Sequence, residues 1–135
     1  MRIYLDSNVF ISLFQVEVGM HKRGLFVEAG TFIEKVKENE HLLVLSNWFF
    51  DEINRHHFTK EDVLKYLEEK EITFELVEEK QKQDLNEFTK KGIHYSDAVH
   101  IAIALKHKCD CIVTFNSKDF NKIKDKIQVF EPNEF

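Results

Sequence analysis

The chain has 135 residues, of which 43% are apolar and 13 are phenylalanine, so it is long and apolar enough to bury one sizeable core. It contains only four glycines and one proline, with no repeat and no low-complexity tract, so we expect a single domain over residues 1–135. The formal net charge of −5 argues against a protein that coats nucleic acid by basicity, but not against a nuclease whose metal-binding carboxylates add to that charge.

Short apolar runs and helical periodicities alternate along the chain. In chain order they predict a strand at 2–5, helices at 9–14 and 25–36, a strand at 42–45, helices at 48–53 and 60–70, a strand at 72–77, helices at 78–91 and 97–106, and strands at 111–114 and 128–130. Strands that are apolar throughout and alternate with helices are typical of βαβ units. The pattern therefore predicts an α/β fold with a central parallel sheet flanked by helices on both faces.

Small polar residues mark where several of these helices should begin. Ser46 follows the second strand and Thr59 precedes an acidic first turn, so we expect each of them to be an N-cap. We also expect Ser96 to cap the most apolar helix of the chain. The first helix should be capped by either Ser7 or Asn8.

The sequence carries no signal for export or membrane insertion. It opens on a predicted strand, and no apolar run approaches membrane-spanning length. Cys109 and Cys111 are one residue apart, so in a strand their side chains would point to opposite faces and would not pair. We therefore expect reduced thiols and a soluble, cytoplasmic protein.

Four acidic residues stand beside predicted strand ends or helix starts: Asp6, Glu52, Asp97 and Asp119. The carboxyl ends of parallel strands share one edge of the sheet, and ligands bind in the crevice there. Mg²⁺ and Mn²⁺ prefer hard oxygen ligands, so carboxylates without a cysteine or a helical histidine pair suit these ions better than zinc. The pattern predicts a metal site that activates water for attack on a phosphodiester.

Each of these acids also has an ordinary structural explanation. Asp6 is in a position to cap the next helix, Asp97 suits a first helical turn, and Asp119 suits a local turn. Helical phase does not decide whether Glu52 or its neighbour Asp51 faces inward. Only the joint placement of the acids at the sheet edge indicates a functional site.

Four segments of the chain resemble the four motifs of PIN domains, in the same order along the sequence. They are residues 4–8, 46–52, 95–104 and 112–120. The resemblance spans essentially the whole chain, and the third and fourth segments together are its most specific part. The chain is most similar in style to the compact VapC-like toxins of type II toxin–antitoxin pairs.

The resemblance implies a metal-dependent endoribonuclease on a parallel α/β sheet. Its catalytic residues and its ligands to Mg²⁺ or Mn²⁺ would be Asp6, Glu52, Asp97 and Asp119. For the VapC-like subgroup it further implies a homodimer, inhibited by a small antitoxin protein whose tail enters the active-site groove.

The resemblance also assigns supporting roles to Ser7 or Asn8, which would orient the first acid or the metal's water, and to Thr114, which would hold the last loop. The chain departs from the family pattern in one place, because many relatives carry aspartate where it has Asn116. The fourth ligand is then either Asp119 or the neutral amide oxygen of Asn116. The connection at residues 15–24, which includes Met20 to Arg23, is longer than in a minimal relative and would alter the groove or the partner surface.

Basic residues bracket the third and fourth motifs. Lys90, Lys91, His94 and Lys118 would form an RNA-binding rim around the acidic centre, although a solvated surface explains them equally well. The spacings between His94, His100 and His107 do not give the helical pair that zinc sites use, so we expect surface or groove-lining histidines.

Two other functions are compatible with the sequence. One is a metal-dependent phosphatase or phosphoryl acceptor in which Asp6 is the nucleophile, although no lysine clearly ends a strand as such a site requires. The other is a catalytically weak PIN-like scaffold that only binds RNA or protein, which Asn116 in place of aspartate would favour.

Overall fold

The computed structural model describes residues 1–15, 24–79 and 84–135. Its strands are β1 (Arg2–Leu5), β2 (Leu42–Ser46), β3 (Thr73–Val77), β4 (Cys111–Val113) and β5 (Gln128–Phe130). They form one sheet in the order β3-β2-β1-β4-β5, and every neighbouring pair is parallel. The predicted fold class is confirmed, and each predicted strand is present to within one residue at either end.

Helices fill the connections between the strands. They are α1 (Ser7–Phe14), α2 (Leu25–Glu38), α3 (Asn47–Arg55), α4 (Lys60–Glu69), α5 (Asn86–Thr89), α6 (Tyr95–Lys106) and α7 (Ser117–Phe120). Among the described residues, no helix is both long enough and apolar enough to cross a membrane.

The helices cover both faces of the sheet. Successive residues of β1 point to opposite faces, so they pack against different helices. Ile3 and Leu5 pack in a core with residues of α1, α2, α3 and α4. Tyr4 packs in a second core with residues of α5, α6 and α7. All three side chains are completely buried, as expected for the central strand of a sheet with helices on both faces.

The strand order reverses beside β1. From β1 the chain moves outward to β2 and β3, then returns to the other side of β1 to form β4 and β5. The peptide N–H of Asp6 donates to the carbonyl oxygen of Val113 over 3.0 Å, so the pairing of β1 with β4 continues to the first residue of the loop. The crevice at such a reversal is the preferred ligand site of an open α/β sheet.

Two predicted N-caps are confirmed. The Ser46 hydroxyl accepts a hydrogen bond from the backbone N–H of Phe49, and Thr59 forms a reciprocal capping box with Asp62. The prediction for Ser96 is wrong. The N–H of Ala98 reaches back to the carbonyl of His94, so α6 begins at Tyr95 and contains Ser96 in its first turn.

The first helix also begins earlier than predicted, at Ser7, so neither Ser7 nor Asn8 is its N-cap. Asp6 occupies that position, but its carboxylate makes no capping hydrogen bond. The carboxylate of Asp6, which was itself a candidate cap, is therefore directed away from the first turn of α1. The predicted interruption at 15–24, with Met20 to Arg23, lies largely outside the described residues.

The helix predicted at 78–91 is wrong over much of its length. Residues 80–83 lie outside the described part of the chain, Glu79 is not helical, and α5 covers only Asn86–Thr89. The side-chain amide of Asn47 both donates to the carbonyl of Glu79 and accepts from its N–H, at 3.2 and 3.0 Å. This pairing uses the backbone groups of Glu79 and so competes with the helix that the charge pattern favoured.

Replacing Leu45 by alanine should lower the free energy of unfolding by about 2–5 kcal/mol, because the side chain is completely buried in β2. Leu76→Ala is the matched control. Leu76 is the register partner of Leu45 on β3 but is 43% exposed, so its loss should cost no more than about 1 kcal/mol. Urea unfolding of both variants measures the difference, and equal losses would contradict this description of the core.

Candidate metal centre

The four acids predicted from the sequence meet at the carboxyl edge of the sheet. Asp6 follows β1, Glu52 lies on α3, Asp97 lies in the first turn of α6, and Asp119 lies on α7. The described residues contain two groups of potential ligands, and within each group the ligand atoms lie within 4.8 Å of one another. Asp6, Glu52 and His100 form the first group, and His94, Asp97 and Asp119 form the second.

Asp6 is held by the loop after β4. Its Oδ2 accepts a hydrogen bond from the buried hydroxyl of Thr114 over 2.7 Å. The same Thr114 oxygen accepts from the Asn8 amide at 3.2 Å and from the Asn116 backbone N–H at 2.9 Å. Asn8 in turn accepts from the N–H of Phe115. Thr114 and Asn8 therefore connect the carboxylate to the last loop.

Glu52 is the inward-facing acid of α3, whereas its neighbour Asp51 is exposed. Its Oε1 accepts from the Ser7 hydroxyl at 2.8 Å and lies 2.5 Å from Nε2 of His100. Burial opposes ionisation of Glu52, but the hydrogen bonds and charge of His100, together with Ser7, lower its pKa below the ordinary value. Glu52 is therefore an anion at neutral pH.

Asp97 is the acid whose surroundings most disfavour its ionised form. Burial first, and then the charge of Asp6, raise the pKa of Asp97 to about 7. Only 8% of the residue is exposed, and its Oδ2 accepts a hydrogen bond from the Asn116 amide at 2.9 Å. The apolar helix around Asp97 cannot solvate its charge, so the ionised form needs a nearby cation.

Asp119 has the opposite shift. Burial would raise its pKa, but hydrogen bonds from the ring and backbone of His94 lower it to about 2. The ring nitrogen Nδ1 of His94 lies 2.6 Å from Oδ2, and Nζ of Lys122 lies 3.5 Å from Oδ1. Asn116 donates its amide nitrogen to Asp97, which leaves its amide oxygen as a further neutral donor atom for a cation.

The sequence analysis missed the role of one histidine. His100 was expected at the surface or lining a groove, but it is completely buried between Tyr4 and Glu52, and its Nε2 lies 3.5 Å from Oδ1 of Asp6. It follows Asp97 by three residues, so the two share a face of α6. That spacing on an otherwise apolar helix is the signal that could have identified it.

His94 belongs to the second group of potential ligands, whereas His107 and the predicted lysines of the basic rim lie outside both groups. His107 is half-buried and approaches Glu79. The side chain of His94 is 80% exposed although it contacts Asp119. Lys90, Lys91 and Lys118 are exposed. They lie in the segments that border the site, just before His94 and in the first turn of α7.

The donor atoms present suit a hard divalent cation. Carboxylate oxygens dominate the cluster, and both ring nitrogens of His100 are already engaged by Tyr4 and Glu52. Cys109 and Cys111 have free thiols, but Cys111 opens β4 and thus lies at the opposite end of the sheet. The cluster fits Mg²⁺ or Mn²⁺ better than zinc.

Comparison with known proteins agrees with this geometry. The sequence profile of the PIN domain family matches residues 3–126. A comparison with curated proteins finds no match.

Asp97→Asn should stabilise the metal-free protein at neutral pH by at least about 1 kcal/mol. The pKa of Asp97 is higher in the folded protein than its ordinary 3.8, so the folded state binds more protons and loses stability as the pH rises from about 4 to about 7. An asparagine lacks this loss, so the difference between variant and wild type should grow across that window and then level off.

Thermal unfolding at several pH values in the presence of a chelator measures this difference. Asp51→Asn is the matched control, because Asp51 is exposed and lies outside the cluster. A variant and wild type with parallel pH profiles would contradict the electrostatic description of Asp97.

Proposed function

The chain belongs to the PIN domain family, and from this premise we propose that it is a Mg²⁺- or Mn²⁺-dependent endoribonuclease. Its catalytic residues and metal ligands would be Asp6, Glu52, Asp97 and Asp119. The observation that carries the proposal is the burial of Asp97 beside Asp6, because a nearby cation would balance the charge that this arrangement concentrates.

The residues around the acids support a site that is preorganised for a cation. The hydroxyl of Thr114 orients Asp6, and the hydroxyl of Ser7 orients Glu52 while approaching Asp6 at 3.4 Å. When bound, the divalent cation would supply the positive charge that polarises a phosphodiester and favours ionisation of an attacking water. The protein's own part is to hold ligand oxygens in fixed positions in a partly buried crevice, so that little reorganisation accompanies the reaction.

A groove beside the acids offers room for a nucleotide chain. It has a volume of about 460 Å³ and is lined in part by Asn8 and Asn116, which also contact Thr114 and Asp97. Its apolar wall includes Ile11, Phe26 and Phe115. Amide and aromatic groups next to a metal centre are suited to bases that flank a bound phosphate.

The exposed cations at the border of the site would bind the RNA backbone. In this proposal Lys90, Lys91 and Lys118 contact phosphates on either side of the cleaved bond, because they are exposed and carry charge opposite to RNA. His94 contributes from the rim while it holds Asp119.

Incubation of the protein with a pool of structured and single-stranded RNA should give cleavage that requires Mn²⁺ or Mg²⁺. Asp97→Asn should reduce the rate by at least about 100-fold, because it removes a charged ligand rather than a residue that supports one. Asp51→Asn should cleave like wild type. Comparison of Asp119→Asn with Asn116→Ala identifies the fourth ligand, because the variant that loses more metal affinity is the one in which a ligand was replaced.

Cleavage that persists in a chelator, or that Asp97→Asn leaves intact, would refute the proposal. A folded wild type that binds Mn²⁺ without cutting any RNA would instead favour a binding scaffold. A phosphoryl group trapped on Asp6 would favour the phosphoryl-acceptor alternative.

We further propose that the chain acts in the cytoplasm as the toxin of a type II toxin–antitoxin pair, as a homodimer that a small antitoxin protein inhibits. The support is the similarity of its motifs and compact length to VapC-like toxins. Light scattering should then give the mass of two chains, and expression in bacteria should arrest growth in a way that Asp97→Asn abolishes. A monomer that leaves growth unaffected while cleaving RNA would favour a processing nuclease.

A further inference from the structure

A chain of buried polar groups lies behind the acid cluster. The backbone N–H of Phe49 donates to Ser46 Oγ over 3.1 Å, and that oxygen lies 2.7 Å from the Tyr4 hydroxyl. The Tyr4 hydroxyl lies 2.6 Å from Nδ1 of His100, whose Nε2 lies 2.5 Å from Oε1 of Glu52. The side chains of Tyr4, Ser46 and His100 are completely buried.

The two ends of this hydrogen-bond chain determine the bonds made there. A backbone N–H can only donate and an ionised carboxylate can only accept. Ser46 Oγ therefore accepts from Phe49, and Nε2 of His100 carries a proton that it donates to Glu52. Between these ends, either hydroxyl can donate in the Ser46–Tyr4 bond, and Nδ1 of His100 either accepts from the Tyr4 hydroxyl or donates to it. Each hydroxyl and each ring nitrogen has one partner for its role, as buried polar groups require.

This chain of hydrogen bonds begins and ends on the same helix. Phe49 and Glu52 both belong to α3, and between them the hydrogen bonds pass through β2, β1 and α6. His100 is one turn beyond Asp97 on α6. This chain of hydrogen bonds thus fixes the rotation of α3 against α6, and with it the position of Glu52 relative to Asp97.

The contacts of Glu52 leave one of its oxygens for a ligand. Oε1 receives hydrogen bonds from both Ser7 and His100, whereas no described residue is seen to donate one to Oε2. The two ring nitrogens of His100 are both in use, so the ring offers no lone pair to a cation. We infer that His100 is a positioning residue that holds Glu52 ready to bind the metal through Oε2, and is not itself a ligand. This inference rests on the proposed function.

The hydrogen-bond chain is testable without metal. Long-range ¹H–¹⁵N spectra of the histidine side chains, recorded in a chelator, should show His100 protonated at Nε2, with a downfield proton that shifts in Glu52→Gln. A proton on Nδ1 with none on Nε2 would overturn the inference whatever the protein binds.

The positioning role is tested by calorimetric titration with Mn²⁺. His100→Ala should weaken binding about 10- to 100-fold, the usual effect of losing a group that orients a ligand. His100→Gln should remain within about threefold of wild type, because its amide can still donate to Glu52. His107→Ala, at the far end of α6, is the matched control and should bind like wild type.

Tyr4→Phe keeps the ring in the core and deletes only the hydroxyl, so it tests the same chain of hydrogen bonds if His100→Ala does not fold. It should weaken Mn²⁺ binding by about threefold to tenfold. Circular dichroism verifies the fold of each variant. Electron spin-echo modulation should show the same coordinated-nitrogen signal, or none, for Mn²⁺ bound to wild type and to His100→Gln, because His94 is the other histidine among the potential ligands of the described residues.

A coordinated ¹⁴N signal that His100→Gln abolishes, or unchanged affinity in all the folded variants of His100 and Tyr4, would overturn the inference and leave the proposed function standing. A wild type that binds no divalent cation would refute the proposed function and the metal part of the inference together. The ¹H–¹⁵N spectra of the histidine side chains would still show whether Nε2 of His100 donates to Glu52.

Discussion

The architecture of the site depends on bringing like charges together where water is scarce. Asp6, Glu52, Asp97 and Asp119 reach one crevice from separate elements, and at least Asp97 lies where its ionised form is poorly compensated. Such an arrangement costs stability in the metal-free protein. It is tolerated because the two apolar cores on either side of the sheet hold β1, β4 and α6 in place. The same repulsion would be relieved by a bound cation, so the cost of folding and the affinity for metal have one origin.

The surroundings of Asp97 and Asp119 shift the pKa values of these two acids in opposite directions. Asp97 lies against an apolar helix and beside Asp6, and its pKa rises. Asp119 is equally buried but lies beside His94 and Lys122, and its pKa falls. Environment rather than residue type therefore determines which carboxyl keeps its charge.

Prediction from sequence succeeded where the physical cause is local. Apolar runs, and for β3 an alternating pattern, located the strands of the described residues, and the Thr59 capping box depends on residues three apart. It failed where a distant partner decided the local structure. The charged segment after β3 has a helical pattern, but Asn47 pairs with the backbone of Glu79, which is not helical. Ser96 has the chemistry of a cap, yet α6 has its N-cap two residues earlier, at His94.

The sequence by itself determined the α/β class, the order of the strands and the strand ends and helix starts at which acids stand, because periodicity and strand ends are properties of neighbouring residues. Only the tertiary structure decided how those acids are supported. Glu52 rather than Asp51 turns inward, and His100 joins it across 48 residues of sequence. Such contacts depend on the rotation of α3 and α6 against the sheet. That rotation is set by packing of the whole core, and no local pattern specifies it.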